Sequence, residues 1–278
     1  MTETTLRKPA VAGLFYPDDP QTLDATVDAL LAGADTGHAQ AQAPRAIAVP
    51  HAGYIYSGSV AASAYARLLP FHGQFHRVIL LGPAHRVALH GMALPTVDGF
   101  ATPLGRVAID TTAREQLHAR HSVVLDDRPH RDEHSLEVQL PFLQKVLDRF
   151  TLVPLVVGTT TPEAVAEAMT PWIDDPHTLL VVSTDLSHYH DYATARSIDA
   201  QTSSAIESLQ GDTIDTAQAC GALPLRGLLL LAQRRGMSVT TLDIRNSGDT
   251  AGPRDRVVGY GAWEFHETAQ PDTVRLAA

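Results

Sequence analysis

The chain has 278 residues, 44% of them hydrophobic, a single cysteine and a formal net charge of -10. That length buries a sizeable α/β core without covalent staples, and the lone Cys220 excludes an intramolecular disulfide framework. With 21 Lys and Arg against 31 Asp and Glu, and Lys8 and Lys145 the only lysines, the chain lacks the clustered cations of a nucleic-acid-binding protein. No run approaches the length of a transmembrane helix, and the first residues lack the apolar core of a signal peptide. A cytoplasmic protein without a membrane partner is expected.

In chain order, Asp19-Pro20 reads as an N-cap followed by proline at the first helical position. Leu23, Val27, Leu30 and Leu31 then recur at helical spacing, which predicts a helix over 20–32. Residues 33–44, rich in Ala and Gln, read as a surface loop too short to separate domains. Strand and helix patterns then alternate, with strands over 46–50, 77–82, 106–109, 151–157 and 178–183. Helices are predicted over 58–69, 111–120, 134–148 and 162–173. Further helical patterns lie near 191–209, 213–219 and 224–235, followed by strand patterns over 238–244 and 257–265 that fit an antiparallel pair. One α/β domain spanning 1–278, layered around a mixed sheet, is predicted.

Three β-branched, apolar runs end on histidines: Ala46 to His51, Val78 to His85 and Leu179 to His188. Ligands of open α/β sheets gather beyond the carboxyl ends of the strands, so imidazoles distant in sequence can meet at one rim. Imidazole is a ligand for iron, copper and zinc and also moves protons near neutral pH. Alone, His51 could as well hydrogen-bond a loop carbonyl, but the repeat of the arrangement at His85 favours a metal site. Mononuclear non-haem iron typically adds one carboxylate to two histidines, for which Asp249 is a candidate; the alternative is that Asp249 serves a Ser-Gly-Asp-Thr turn. Asp185 stands three residues before His188 and could fix its tautomer, while helix capping would explain the same residues. Asp132 to Glu137 opens the helix predicted over 134–148 and puts His134, Glu137 and Val138 near one face, although acids are ordinary at a helix start. Cys220 reads as a packing residue. Most other histidines, among them His38, His72, His76, His118, His121, His177 and His266, sit in polar surroundings and read as surface residues. No Walker loop, dinucleotide fingerprint or paired-cysteine zinc motif occurs.

Taken together, the segments Ala10 to Pro17, Pro50 to Tyr54, Leu81 to His85, Asp132 to Glu137, Ser183 to His188 and Asn246 to Asp249 resemble the Memo family, called AmmeMemoRadiSam system protein B in prokaryotes. The resemblance runs from about Arg7 to Phe265. It implies a three-layer αβα sandwich like that of class III extradiol dioxygenases, which cleave catechol rings with non-haem Fe(II). It matches His51 and His85 to metal ligands and His188 to the acid-base histidine, and it makes His134 a site-lining residue. Animal Memo proteins carry a cysteine at the expected third ligand; an ungapped reading puts Thr250 there, with Asp249 beside it. Two functions follow as expectations. One is an oxidoreductase using Fe(II), or copper, on a small aromatic or chelating substrate. The other is a non-catalytic metal-binding protein acting with AMMECR-like and radical SAM partners.

Overall fold

The computed structural model describes residues 4–35, 37, 42–120 and 122–268, so His38, His121 and part of the loop predicted over 33–44 lie outside the described residues. A two-residue strand β1 (Leu6–Arg7) precedes α1 (Pro20–Ala32), whose N-cap Asp19 accepts the Thr22 N–H. Strand β2 (Ala46–Val49) leads through a π-turn at Tyr54–Gly58 into α2 (Ser59–Tyr65). Then come β3 (Arg77–Pro83), β4 (Met92–Leu94), the hairpin β5 (Gly99–Thr102) and β6 (Gly105–Ile109), and α3 (Thr111–His118). Strand β7 (Val123–Leu125), α4 (Arg128–Arg131), α5 (Leu140–Val146), β8 (Thr151–Val157), α6 (Pro162–Met169) and β9 (Thr178–Ser183) follow. The chain continues with β10 (His188–His190), α7 (Tyr192–Glu207), α8 (Ala222–Arg235), β11 (Met237–Asn246), α9 (Ser247–Thr250) and β12 (Val257–Glu267).

The sheet is mixed, in the order β1-β5-β6-β8-β3-β9-β2-β12-β10, with β11 on β12 and β4 on β8. Its centre, β8-β3-β9-β2, is all parallel. Apolar residues alternate between two cores, one on each face. Ile47, Val49, Val78, Leu80, Leu179 and Val181 face α1, α2 and α5. Ala46, Ala48, Ile79, Leu81, Leu180 and Val182 face α3, α6 and α8. Both faces being covered explains why these strands are apolar throughout rather than alternating. The architecture is therefore a three-layer αβα sandwich. Among the described residues no helix is long and apolar enough to cross a membrane.

Two predicted helices are corrected. The helix over 134–148 is confined to a 3-10 turn at Glu137–Gln139 and to α5, so His134 lies in the preceding turn and not on a helix face. The Glu133 carboxylate accepts the His134 and Ser135 N–H groups at 3.0 and 2.9 Å, a local arrangement that competes with helix. Over 213–219 Asp215 does the same, accepting the Ala217 and Gln218 N–H groups in a turn.

Gly82, near the end of β3, lets the Ser135 turn pack directly on the strand. A Cβ there would stand 2.7 Å from Ser135 Oγ and 2.9 Å from Leu136 Cδ2. Both neighbours are buried. Gly82→Ala is expected to destabilise the protein by about 1–3 kcal/mol through overpacking, read as a lower urea midpoint at unchanged m-value.

Candidate metal centre

Parallel register brings the strand ends together. Val49 pairs with Ser183, and Leu81 with Val182, so β2 and β3 flank β9 and finish at one level. His51 and Asp185 each follow their strand by two residues, and His85 follows β3 by two. The turn before α5 adds His134. Ring centroids lie 5.2 Å apart for His51 and His85, 5.4 Å for His51 and His134, and 4.8 Å for His85 and His134. One ligand nitrogen from each of the three falls within 4.8 Å of the others.

Hydrogen bonds set the tautomers. Ser183 Oγ donates its one hydrogen to Ser135 O at 2.6 Å, so toward His51 Nδ1, at 2.9 Å, it accepts. His51 therefore carries its proton on Nδ1, and the lone pair is on Nε2. The Glu133 carboxylate, which only accepts when ionised, lies 2.9 Å from His85 Nδ1 and 2.6 Å from the His85 main-chain N. This bond engages His85 through Nδ1 and leaves Nε2 as the nitrogen not bonded to Glu133. His134 Nδ1 is buried and lies 3.3 Å from Glu133 Oε1 without forming a hydrogen bond to it.

Burial holds His51 and His134 below the ordinary imidazole range, and the neighbouring imidazoles lower His51 further. Burial pushes Glu133 up, but the bonds and charge of His85 outweigh it and hold the carboxyl down at about 2. His51 and His134 are thus held neutral beside an ionised Glu133 carboxylate. His51 is 2% exposed whereas the His85 side chain is 27% exposed, so solvent reaches the group from the His85 side.

Asp185 is buried, and burial raises its carboxyl; it accepts the main-chain N–H of His51 at 2.7 Å rather than bonding an imidazole. His188, half-buried on β10, lies close enough for its charge to act on both His51 and Asp185. Asp249 is not brought to the three histidines. Its carboxylate accepts the Tyr192 hydroxyl at 2.6 Å and the Asn246 N–H at 3.1 Å, completing a capping box for α9, and Thr250 Oγ1 donates to Ser247 O within the same turn. Capping rather than ligation thus accounts for the Ser-Gly-Asp-Thr segment.

Three residues that sequence reasoning left out of the site support it: Glu133, Ser183 and Cys220. Glu133 adjoins His134 and could have been suspected; Cys220 comes from the turn before α8, about 170 residues from the histidine it meets, and carries no local signal. Its Sγ lies 3.2 Å from His51 Nε2, and burial pushes the thiol up to about 12, so the S–H donates to that lone pair. Of the remaining histidines, His72, His76, His118 and His177 are exposed, and His266 is half-buried beside Glu264.

An αβα sandwich with three imidazoles converging beyond parallel strand ends defines a class of α/β protein with a strand-end histidine site. Within it the chain belongs to the Memo family: the family described as Memo-like protein matches residues 7–264. A MEMO1 family protein of Aquifex aeolicus is 36% identical over 270 residues, covering 92% of this chain and 97% of the relative. One from Saccharolobus islandicus is 35% identical over 283 residues, covering 93% and 99%. An uncharacterized protein of Escherichia coli K12, JW3007, shares the fold at TM-score 0.50 and 13% identity, over 77% of this chain and 98% of its own.

Glu133→Gln is expected to weaken metal binding about 10- to 100-fold, the usual effect of losing a carboxylate behind a ligand histidine, while leaving the circular dichroism spectrum unchanged; unchanged affinity in a metal titration would show that Glu133 does not support the site.

The buried imidazoles also set an acid limit. His130 Nε2–H donates to Ala93 O at 3.0 Å, its Nδ1 is buried without a partner, and burial lowers its pKa to about 4. In metal-free protein the unfolded chain takes up protons below about pH 6.5 that folded His51, His130 and His134 refuse, so stability falls with pH. His130 alone should remove on the order of 3 kcal/mol between about pH 7 and pH 4. Urea midpoints measured across that range are expected to drop, and a flat profile refutes the assignment.

Proposed function

We propose that this Memo-family protein holds one iron(II) ion, or in its place copper, on His51, His85 and His134, and works as a dioxygenase-like oxidoreductase on a small chelating substrate. The observation that carries the reading is the convergence of three imidazoles within 4.8 Å, two with Nδ1 engaged by Ser183 and Glu133 so that Nε2 is the ligating nitrogen, the Cys220 thiol giving up its contact with His51 Nε2 when the ion binds. Two ligands at about 2.1 Å from one ion stand at most about 4.2 Å apart, so small side-chain movements bring the set into range. His134 Nδ1 is buried, with the Glu133 carboxylate 3.3 Å away but no hydrogen bond formed. Neutral imidazole suits iron, copper and zinc alike; the likeness to extradiol dioxygenases favours iron.

When bound, such an ion supplies Lewis acidity and, for iron or copper, one-electron chemistry. The chain's own residues supply the remainder. Glu133 holds the His85 ring and main chain in one orientation, and Ser183 does the same for the His51 ring. Cys220, buried against His51, keeps its proton. His188, within electrostatic reach of the cluster, is the residue proposed to hold and release a proton on its imidazole. Asp185 fixes the His51 backbone.

The double variant His51→Ala, His85→Ala is expected to lose stoichiometric metal while keeping its circular dichroism spectrum; a full equivalent of iron or copper retained would overturn the ligand assignment. His188→Ala should keep the metal and lower turnover by about 10²- to 10⁴-fold, the usual contribution of an acid-base group. An oxygen-consumption screen with catechols on anaerobically purified protein measures that turnover.

A further inference from the structure

A cleft of about 920 Å³ lies beside the histidine cluster, between the segment Leu6 to Phe15 and the α4 region. Two features join it to the site. Phe15 lines the cleft and also sets its ring edge on to His134, with centroids 4.9 Å apart. Arg86, the residue after His85, lines the same cleft, and its charge reaches His134.

The cleft is cationic in a protein whose net charge is -10. Arg7, Arg128 and Arg131 along its wall are paired, with Glu137, Asp126 and Asp132. Asp127 accepts the Thr96 N–H and hydroxyl. Lys8 and Arg86 are exposed and form no ion pair among the described residues, although one of them is one of only two lysines in the chain. Leu14, Phe15 and Val97 add apolar surface to the same lining. Two unpaired cations and an apolar lining match an anionic group carried on an apolar body.

From this geometry we infer that the cleft binds a small organic carboxylate, its anion held by Arg86 and Lys8 and its apolar body lying along Phe15 and Leu14. The inference rests on the metal-centre reading for one point only, that the far end of such a molecule is the part presented to the histidines. It narrows the substrate class from any chelating molecule to one that bears a carboxylate at a distance from its chelating end.

The test uses hydrocinnamate, which cannot chelate, and its neutral analogue hydrocinnamyl alcohol, titrated calorimetrically into the metal-free full chain. Hydrocinnamate is expected to bind at least about tenfold tighter than the alcohol. The double variant Lys8→Gln, Arg86→Gln, both at exposed positions, should lose that preference and retain the wild-type urea midpoint. Equal binding of the two probes, no binding of either, or a preference kept by the double variant overturns the inference. Competition by inorganic phosphate as effective as that of hydrocinnamate would show that the apolar wall contributes nothing, which also overturns it. Hydrocaffeate, which adds a catechol, is then titrated into metal-loaded protein. Hydrocaffeate binding no tighter than hydrocinnamate counts against the metal-centre reading, whereas the result with hydrocinnamate alone decides the cleft.

Discussion

Parallel strands that share a register end together, and this constraint carries the rest of the structure. β2 and β3 are both hydrogen-bonded to β9, one on each side, with Val49 opposite Ser183 and Leu81 opposite Val182. Neighbouring strands stand about 4.8 Å apart, so side chains leaving β2 and β3 need lean over only one intervening strand to meet. The intervening strand contributes the groups that receive them, Ser183 for the His51 ring and Asp185 for the His51 backbone. The strands can hold this arrangement because helices cover both faces, which lets the four central strands be apolar throughout and rigidly packed.

A second layer of buried polar contacts holds the non-strand part of the site. Glu137 is fully buried, pairs with Arg7, and accepts the N–H groups of Ala10 and Val11 and the Tyr16 hydroxyl. Arg7 also donates to His130 O and Glu133 O. A buried ion pair is costly to desolvate, and it persists here because every remaining donor and acceptor named is matched. The result is that the N-terminal segment, which supplies Phe15 to the histidines, and the Glu133 turn, which supplies His134, are held to each other by one pair of charges. The cleft runs along this junction. Its two unpaired cations are the exception in a region where opposite charges otherwise neutralise one another.

Much of this was legible in the chain itself. Alternating strand and helix patterns predicted a layered α/β sandwich, and the Asp19-Pro20 start, the 46–50 and 178–183 strands and the final antiparallel pair are all found in the structure. The histidines at strand ends were visible because a buried strand is a local, contiguous signal and the residue following it is known by position. Short strands such as β4, β7 and β10 were not read, since three residues carry too little periodicity to be distinguished from loop.

What the sequence by itself determined is therefore the fold class, the Memo family and the three clustered histidines, His51 and His85 as expected ligands and His134 as a residue lining the site. That His134 rather than Asp249 joins the other two was decided by the tertiary structure. Asp249 and His134 both sit in polar turns that local rules read alike, and only the folded chain shows Asp249 engaged by Tyr192 and Asn246 while His134 packs against His85. The same holds for Cys220, which reaches His51 only because α8 docks at the end of β9, where Gly221 leaves room against Thr184. Hydrogen-bond partners and charge pairs across more than a hundred residues depend on which strands are neighbours. Neighbourhood in a parallel sheet follows from crossover connections, which local periodicity does not encode.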